Sequence, residues 1–329
     1  MMSEKKILIM MTTYNGEAFI KEQIDSIIHQ TSKNWDLIIR DDQSTDDTVA
    51  IIEDYRLQYP QIELLQNKSD NHGAYYNFFA LIDYVKKNKN DYDYFMLSDQ
   101  DDIWDLDKIQ KFHDYYNRVA KDQFPALVYG DMRIIGENDQ VKDPSIDKLI
   151  GTHYSNAVST FFSHRVFGCS TFFNNRLLKE LVLPNIDDQV LRYLSHDNYI
   201  AKTAALTGQI YYLSETTMGY RRGIHNVTQK HQYNHSIKRI AKRLLGLNQL
   251  AKDHALTYKQ TLVAITLFKK KDLDDWQYEL LARIENIIRK GGVSAIAEMK
   301  RLNISFGMPV KNFSRKLIVL LGNYKKFLE

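Results

Sequence analysis

Residues 94–104 read Tyr94-Phe95-Met96-Leu97-Ser98-Asp99-Gln100-Asp101-Asp102-Ile103-Trp104. Tyr94–Leu97 is an apolar run of strand length, and it stops abruptly in carboxylates. Asp99, Asp101 and Asp102 fall within four positions, so mutual repulsion raises their pKa values unless a cation or solvent relieves it. Hard oxygen donors of this kind suit Mg²⁺ or Mn²⁺, which bind one or two carboxylates and complete their shell with phosphate and water. The plainer alternative is a solvated turn that caps the following helix. Position favours the cation: the cluster ends a central apolar strand, and two further polar clusters end neighbouring strands.

Outward from this strand the pattern alternates. Ile7–Met11 is a short buried strand, followed by Ile20, Ile24, Ile27 and Ile28 on one helical face. Trp35–Arg40 is the next strand, and its Asp/Ser/Thr-rich turn can cap a helix through Ile52. Ile62–Leu65 precedes a polar loop and a helix around Tyr75–Val85; a helix near Asp107–Val119 leads to strands at Ala126–Tyr129 and Met132–Ile135. Strands alternating with helices imply an α/β fold, a mostly parallel sheet covered on both faces, with ligands at the carboxyl ends of the strands. Further on, Phe167–Phe173 and Gln209–Leu213 read as strands and Ser195–Leu206 as a helix. From Ile237 the chain reads as wholly helical. The boundary therefore falls near residue 236, giving a catalytic domain over 1–236 and a basic helical region over 237–329.

Composition narrows the function. The 329 residues carry 44 Lys+Arg and 41 Asp+Glu, but residues 237–329 hold 19 basic and 8 acidic residues, a net +11, against −8 for the rest. That basic rear suggests an anionic surface as partner. One cysteine, Cys169, excludes a disulfide framework and Cys-rich metal sites, and reads as a small buried hydrophobe. The apolar run near the start is too short for a signal peptide core or a membrane span, so a cytoplasmic protein is expected, peripheral on the inner face of the cell membrane. Neither G-x-G-x-x-G nor G-x-x-x-x-G-K-[ST] occurs, which argues against dinucleotide dehydrogenases and P-loop phosphotransferases. Thr12-Thr13-Tyr14-Asn15-Gly16 stands after the first strand instead, and Asp41-Asp42-Gln43-Ser44-Thr45-Asp46-Asp47-Thr48 after the second.

In this order and spacing the clusters resemble family 2 glycosyltransferases of the GT-A fold. The resemblance rests on Thr13-Tyr14-Asn15-Gly16, Asp41-Asp42-x-Ser44-x-Asp46 and Ser98-Asp99-Gln100-Asp101-Asp102-Ile103-Trp104. Downstream, Gly168-Cys169-Ser170-Thr171, Ser195-His196-Asp197 and Tyr220-Arg221-Arg222 extend it to about residues 5 to 230. It implies a Rossmann-like mixed sheet flanked by helices, with a C-terminal helical region. The S-D-Q-D-D-I-W form most resembles bacterial rhamnosyltransferases of cell-wall and surface polysaccharide assembly. A dTDP-L-rhamnose donor is then implied, although relatives using UDP-hexoses look much the same.

The resemblance also implies roles. Thr13 and Tyr14 lie against the nucleotide, and Asp42 accepts from the pyrimidine N3–H. Asp99 faces the ribose or a metal-bound water. Asp101 ligates Mg²⁺ or Mn²⁺, with Asp102 alongside it or facing the sugar. Arg221 and Arg222 offer guanidinium groups for phosphate. His225 is offered as an extra metal ligand, although relatives tend to place a His where Gly223 stands. Asp197 is the base that takes the acceptor hydroxyl's proton; the alternative is an ordinary helix start at Ser195 and Asp197. The family's single in-line displacement implies inversion, and its acceptor is a saccharide or lipid-linked saccharide.

Two basic amphipathic stripes, Ile237–Leu245 and Phe313, Leu317, Leu320, Leu321 and Tyr324 after Pro309, either lie on an anionic membrane or pack on the catalytic domain. The His231–His235 pair has little else to make it a metal site. A sugar nucleotidyltransferase would want a Gly-rich basic loop after the first strand, where T-T-Y-N-G-E stands. A non-catalytic nucleotide-sugar or nucleic-acid-binding module leaves the acidic cluster unexplained, and nucleic acid is not expected because carboxylates repel a polyanion.

Overall fold

A computed structural model of the chain describes residues 5–185, 189–222 and 247–328. Gly223, His225, the His231–His235 pair, the Ile237–Leu245 stripe and the boundary at residue 236 lie outside the described residues.

One nine-stranded sheet organises them. Its strands are β1 (Ile7–Thr13), β2 (Trp35–Asp41), β3 (Ile62–Gln66), β4 (Tyr94–Ser98) and β5 (Ile103–Trp104). They continue with β6 (Ala126–Ile135), β7 (Val141–Asp143), β8 (Thr171–Asn174) and β9 (Gln209–Arg221). The order is β3-β2-β1-β4-β8-β6-β9-β5, with β7 beside β6. β1 to β4 pair in parallel, β8 runs antiparallel between β4 and β6, and β6 and β9 are parallel. The sheet is mixed, and its parallel half carries the three polar strand ends.

Strand alternation divides the interior into two layers. Ile7, Ile9 and Met11 of β1 face α1 (Ile20–Ile28), α2 (Thr48–Gln58) and α4 (Lys108–Val119), together with Leu37, Ile39, Ile52 and Phe112. Leu8 and Met10 face the other layer, with α3 (Ala74–Asn88), α6 (Asn175–Glu180) and α7 (His196–Thr207). α5 (Ile146–Ile150) is a short turn of helix in the connection between β7 and β8. Each buried Ile, Leu or Phe contributes about 1.5–3 kcal/mol relative to exposure, which is why the unbroken apolar run of β1 must lie between two helical layers.

Three elements differ from the expectation. Ala126–Tyr129 and Met132–Ile135 are one strand, because Gly130-Asp131 makes a register shift against β9 rather than a turn. Phe167–Phe173 is not continuous strand: Gly168–Ser170 forms a 3₁₀ turn before β8. Ser170 Oγ accepts from Gly130 N (3.0 Å) and donates to Gly130 O (2.5 Å), satisfying the β6 backbone that the turn leaves without a strand partner. β9 runs on past Gln209–Leu213, the stretch expected as strand, to Arg221.

The rear is helical as expected: α8 (Leu247–Phe268), α9 (Asp275–Lys290), α10 (Gly292–Arg301) and α11 (Pro309–Leu321). Asp274 and Gln277 form a capping box on α9, and Pro309 opens α11. Ala251, Tyr258, Leu281, Ile284, Ile318 and Tyr324 join the core that holds Leu97, Phe173 and Tyr199. These helices therefore share one interior with the sheet.

Candidate functional site

The carboxyl ends of β1, β2 and β4 lie side by side, with Thr13 opposite Asp41 and Met11 opposite Ser98. Thr13 is buried, and its hydroxyl donates to Asp41 Oδ1 at 2.9 Å. Asp41 also accepts from Ser44 N (2.8 Å) and Ser44 Oγ (2.6 Å), so it folds the loop after β2. Asp46 takes Thr48 and Glu17 N, a structural carboxylate whose hydrogen bonds outweigh its desolvation and lower its pKa. Tyr14 is 54% exposed beside these loops. Gln100 holds its backbone, accepting from Tyr14 N (2.8 Å) and donating to Tyr14 O (3.0 Å). A Cβ on Gly16 would come within 2.5 Å of that amide, so Gly16 leaves the room in which Gln100 joins the first and third clusters.

Asp42 is buried, and its carboxylate accepts from Asn67 Nδ2 (2.6 Å) and Gly73 N (2.7 Å), with His72 Nδ1 3.4 Å away. Gly73, at φ 111°, caps α3 and can adopt this backbone where other residues are strained. Asp42 thus ties β2 to the loop before α3.

The acidic loop is less uniform than its sequence. Asp102 is wholly buried: Oδ1 accepts from Arg221 N at 3.0 Å, and Oδ2 meets no hydrogen-bond donor among the described residues. Asp99 is half-buried and Asp101 more open than Asp102. Desolvation, with Asp101 and Asp197 nearby, pushes Asp99 up to about 7; desolvation, then Asp101 and Asp99, raises Asp102 well above the usual range. One ligand atom each from Asp99, Asp102 and Cys169 lie within 4.8 Å of one another. Of the expected Asp101, Asp102 and His225, the described group includes Asp102, while His225 lies outside the described residues; Cys169 faces the acids as well as filling space. Two carboxylates in mutual repulsion, one with an orphaned oxygen, fit a divalent cation.

Lys108, wholly buried on α4, lies behind this loop. Its Nζ donates to Cys169 O (2.6 Å) and sits 3.8 Å from the centre of the Trp104 ring, and burial lowers its pKa to about 8. Trp104 is 2% exposed, so it packs behind the loop and offers no sugar face.

Arg221 does not stand as a phosphate ligand. It is 1% exposed, and its guanidinium donates to the carbonyls of Asp101 (2.7 Å), Gly136 (3.2 Å) and Glu137 (3.0 Å) and to Asp139 (2.5 Å) and Glu22 (2.8 Å). The planar fork is consumed in bracketing the acidic loop. Arg222 follows half-buried, its N–H bonded to Ile135 O at 3.0 Å.

Asp197 lies in the first turn of α7, across the Gly168–Ser170 turn from the acids. Its carboxylate accepts from Gly168 N (3.2 Å), Asn198 N (2.6 Å) and Ser195 Oγ, and His164 Nε2 lies 3.1 Å away. Burial alone would raise its pKa, but His164 and Ser195 hold it well below the usual carboxylate range. Neighbouring His196 is stacked on Phe78 at 3.8 Å and kept neutral by burial, its pKa lowered to about 4.

Gln100, Lys108 and His164 escaped the sequence. Gln100 sits inside the Asp-rich motif and was masked by it; Lys108 reads as an ordinary helix-start lysine; His164 stands 33 positions before Asp197.

Comparison with known proteins agrees with this geometry. The model of glycosyl transferase family 2 matches residues 8–228. A dTDP-rhamnosyl transferase, RfbG of Shigella flexneri, is 46% identical over 101 residues, covering 30% of this chain and 34% of its own. The putative glycosyltransferase EpsE of Bacillus subtilis is 44% identical over 71 residues, covering 21% and 26%. The matched stretches thus span about a third or less of these two relatives. Among solved structures, S. aureus TarS in complex with UDP-GlcNAc aligns over 98% of this chain and 90% of its own, with a TM-score of 0.57 at 16% identity. The mannosyltransferase PcManGT of Pyrobaculum calidifontis, solved with GDP-Man and Mn²⁺, aligns over 99% and 88%, with a TM-score of 0.51 at 16% identity. The fold is that of the GT-A glycosyltransferases. With a family match that runs from β1 past Arg222, this chain belongs to glycosyl transferase family 2.

Proposed function

We propose that this protein transfers a sugar, with inversion, from a nucleoside-diphosphate donor to a hydroxyl of a saccharide or lipid-linked saccharide. The carrying observation is the convergence of Tyr14, Asp42 and the Asp99–Asp102 loop at adjacent parallel strand ends, with Asp197 facing them across the Gly168–Ser170 turn. Thr13 shapes the β1 end, and the exposed Tyr14 ring takes the nucleotide. A carboxylate has about four acceptor sites, so Asp42 keeps capacity for a pyrimidine N3–H beyond Asn67 and Gly73. Asp99 faces the ribose, and Arg222 the diphosphate. Asp101 and Asp102, with His225, hold Mg²⁺ or Mn²⁺; Asp99 and Cys169 border that position. A divalent cation there stabilises charge on the departing diphosphate. Asp197 supplies the basic function on the acceptor side. The similarity to a dTDP-rhamnosyl transferase supports dTDP-L-rhamnose as donor, and UDP-hexoses are the second choice.

Thermal-shift measurement with dTDP-L-rhamnose and UDP-GlcNAc, with and without Mn²⁺, tests the donor. Ligand that binds only the native state raises its stability by about 2.7 kcal/mol at a hundredfold excess over Kd. The expected result is an upward shift that Mn²⁺ enlarges, and loss of that enlargement in Asp101→Ala. Metal-enhanced binding that survives in Asp101→Ala removes Asp101 from the ligand set.

The tail is read as a membrane contact. Val310, Phe313, Leu320 and Leu321 of α11 are 51%, 66%, 43% and 51% exposed, whereas Ile318 and Tyr324 turn inward. Residues 301–328 carry six Lys or Arg and no acidic residue. No helix among the described residues is long and apolar enough to cross a membrane, so the contact is with the headgroup region. The protein is expected to sediment with vesicles rich in phosphatidylglycerol, and less so as salt screens the attraction. Equal sedimentation with purely zwitterionic vesicles would sink the electrostatic part.

A further inference from the structure

Lys108 runs against two physical preferences at once. It opens α4, where the positive end of the helix dipole disfavours a cation, and it is wholly buried, where an ammonium loses its water. Its Nζ donates to Cys169 O at 2.6 Å and to Met218 Sδ at 3.0 Å, and it lies 3.8 Å from the centre of the Trp104 ring. An ammonium has three N–H donors. Here they meet a carbonyl, a sulfur and a ring, not a carboxylate.

Those three contacts fall on three segments that carry the site. Trp104 stands two residues after Asp102 on β5, and Met218, its partner across the strands, stands three before Arg221 on β9. Cys169 is the middle residue of the Gly168–Ser170 turn. That turn separates the acids from Asp197 and touches both. The Cys169 thiol lies within 4.8 Å of ligand oxygens of Asp99 and Asp102, and Gly168 N donates to Asp197 Oδ2 at 3.2 Å. There is no slack toward α7: a Cβ on Gly168 would come within 2.9 Å of His196 Nε2 and 3.6 Å of Asp197 Cβ. Lys108 holds this tightly fitted turn by its middle carbonyl.

We propose that Lys108 is a positioning residue for sugar transfer, which through Cys169 O sets the spacing between the acidic loop and Asp197; this rests on the glycosyl-transfer reading above. The groups that serve the departing diphosphate and the acceptor hydroxyl are then held in one frame, with the ammonium as its common fastening. Burial lowers the pKa of Lys108 to about 8, while Cys169, Asp102, Asp105 and Asp99 favour the charged form, so the ammonium persists at neutral pH. Replacing a buried charge by an apolar side chain of similar volume is often neutral for stability. Stability and positioning are therefore separable at this residue.

The test uses the full chain, with dTDP-L-rhamnose or UDP-GlcNAc as donor, an octyl glycoside as acceptor, and nucleoside diphosphate release as the signal. Lys108→Met should melt near the wild-type temperature, keep donor KM and lose about 10²-fold in kcat, the cost of about an ångström of misplacement. The amide resonance of Gly168 should shift in Lys108→Met and stay in place in Lys121→Met, at an exposed position. A Lys108→Met enzyme with wild-type kcat overturns the proposal. So does one that only loses folded protein, with kcat per folded molecule unchanged and the Gly168 resonance unmoved.

If Lys108→Met does not fold, Gly168→Ala decides. The added methyl forces a shift where the turn meets α7 while Lys108 is intact, so kcat should fall at constant donor KM. An unchanged kcat in that variant overturns the proposal, because the spacing set by the turn is then without effect on transfer. A wild-type protein that turns over none of these donors counts against the underlying reading, and the Gly168 resonance still reports whether Lys108 holds the turn.

Discussion

Asp197→Asn is expected to lower sugar transfer by about 10²–10⁴-fold, the range that positioned proton transfer contributes, while nucleotide affinity is retained. The amide preserves size, but presents a donor to a neighbourhood that is already all donors: Gly168 N, Asn198 N, Ser195 Oγ and His164 Nε2. It cannot take the acceptor's proton. Donor binding is separate because Tyr14 and Asp42 lie at the ends of β1 and β2, beyond the Gly168–Ser170 turn. The measurement is kcat against donor KM, with Kd for UDP or dTDP alongside. A variant that turns over normally leaves the base elsewhere. One that loses nucleotide affinity instead assigns Asp197 to the donor pocket.

Arg221→Ala should destabilise the fold by about 3–5 kcal/mol, the usual cost of breaking a buried charge arrangement by removing one partner. Glu22 and Asp139 are half-exposed and recover water, so their share is small. The larger loss is at the carbonyls of Asp101, Gly136 and Glu137, which surrender a common donor, and at the Phe19 ring packed 4.4 Å from the guanidinium. Against a typical total stability of about 5–15 kcal/mol, the urea midpoint should fall sharply. Arg221→Lys should recover only part, since an ammonium cannot serve five acceptors in a plane. An unchanged midpoint with weakened nucleotide binding would return Arg221 to the phosphate role first expected of it.

These two residues show why motifs were more legible than roles. Asp197 and Arg221 occupy recognisable positions, and both belong to the neighbourhood the sequence indicated. What each does depends on how many partners surround it. Four groups from three parts of the chain converge on Asp197, and five acceptors on Arg221. Such counts have no local signature. The acidic loop behaves similarly: Asp99, Asp101 and Asp102 look equivalent in the chain, yet Asp102 is the wholly buried one, its carboxylate taking the backbone N–H of Arg221 while Asp101 offers that residue its carbonyl.

The sequence by itself determined the α/β alternation, the placement of three polar clusters at strand ends, and the helical character of the rear. Each follows from short-range pattern, since apolar runs of strand length and helical stripes at i, i+3 and i+4 report their surroundings directly. Only the tertiary structure decided that Gly130-Asp131 is a register shift, and that Gly168–Ser170 turns instead of extending. Only it decided that Tyr324 faces inward while Phe313 faces out, and that His164 meets Asp197. The physical reason is common to all four. Each depends on which atoms from distant segments fill the space beside a residue, and steric room and hydrogen-bond partners are properties of the packed chain, not of its neighbours in sequence.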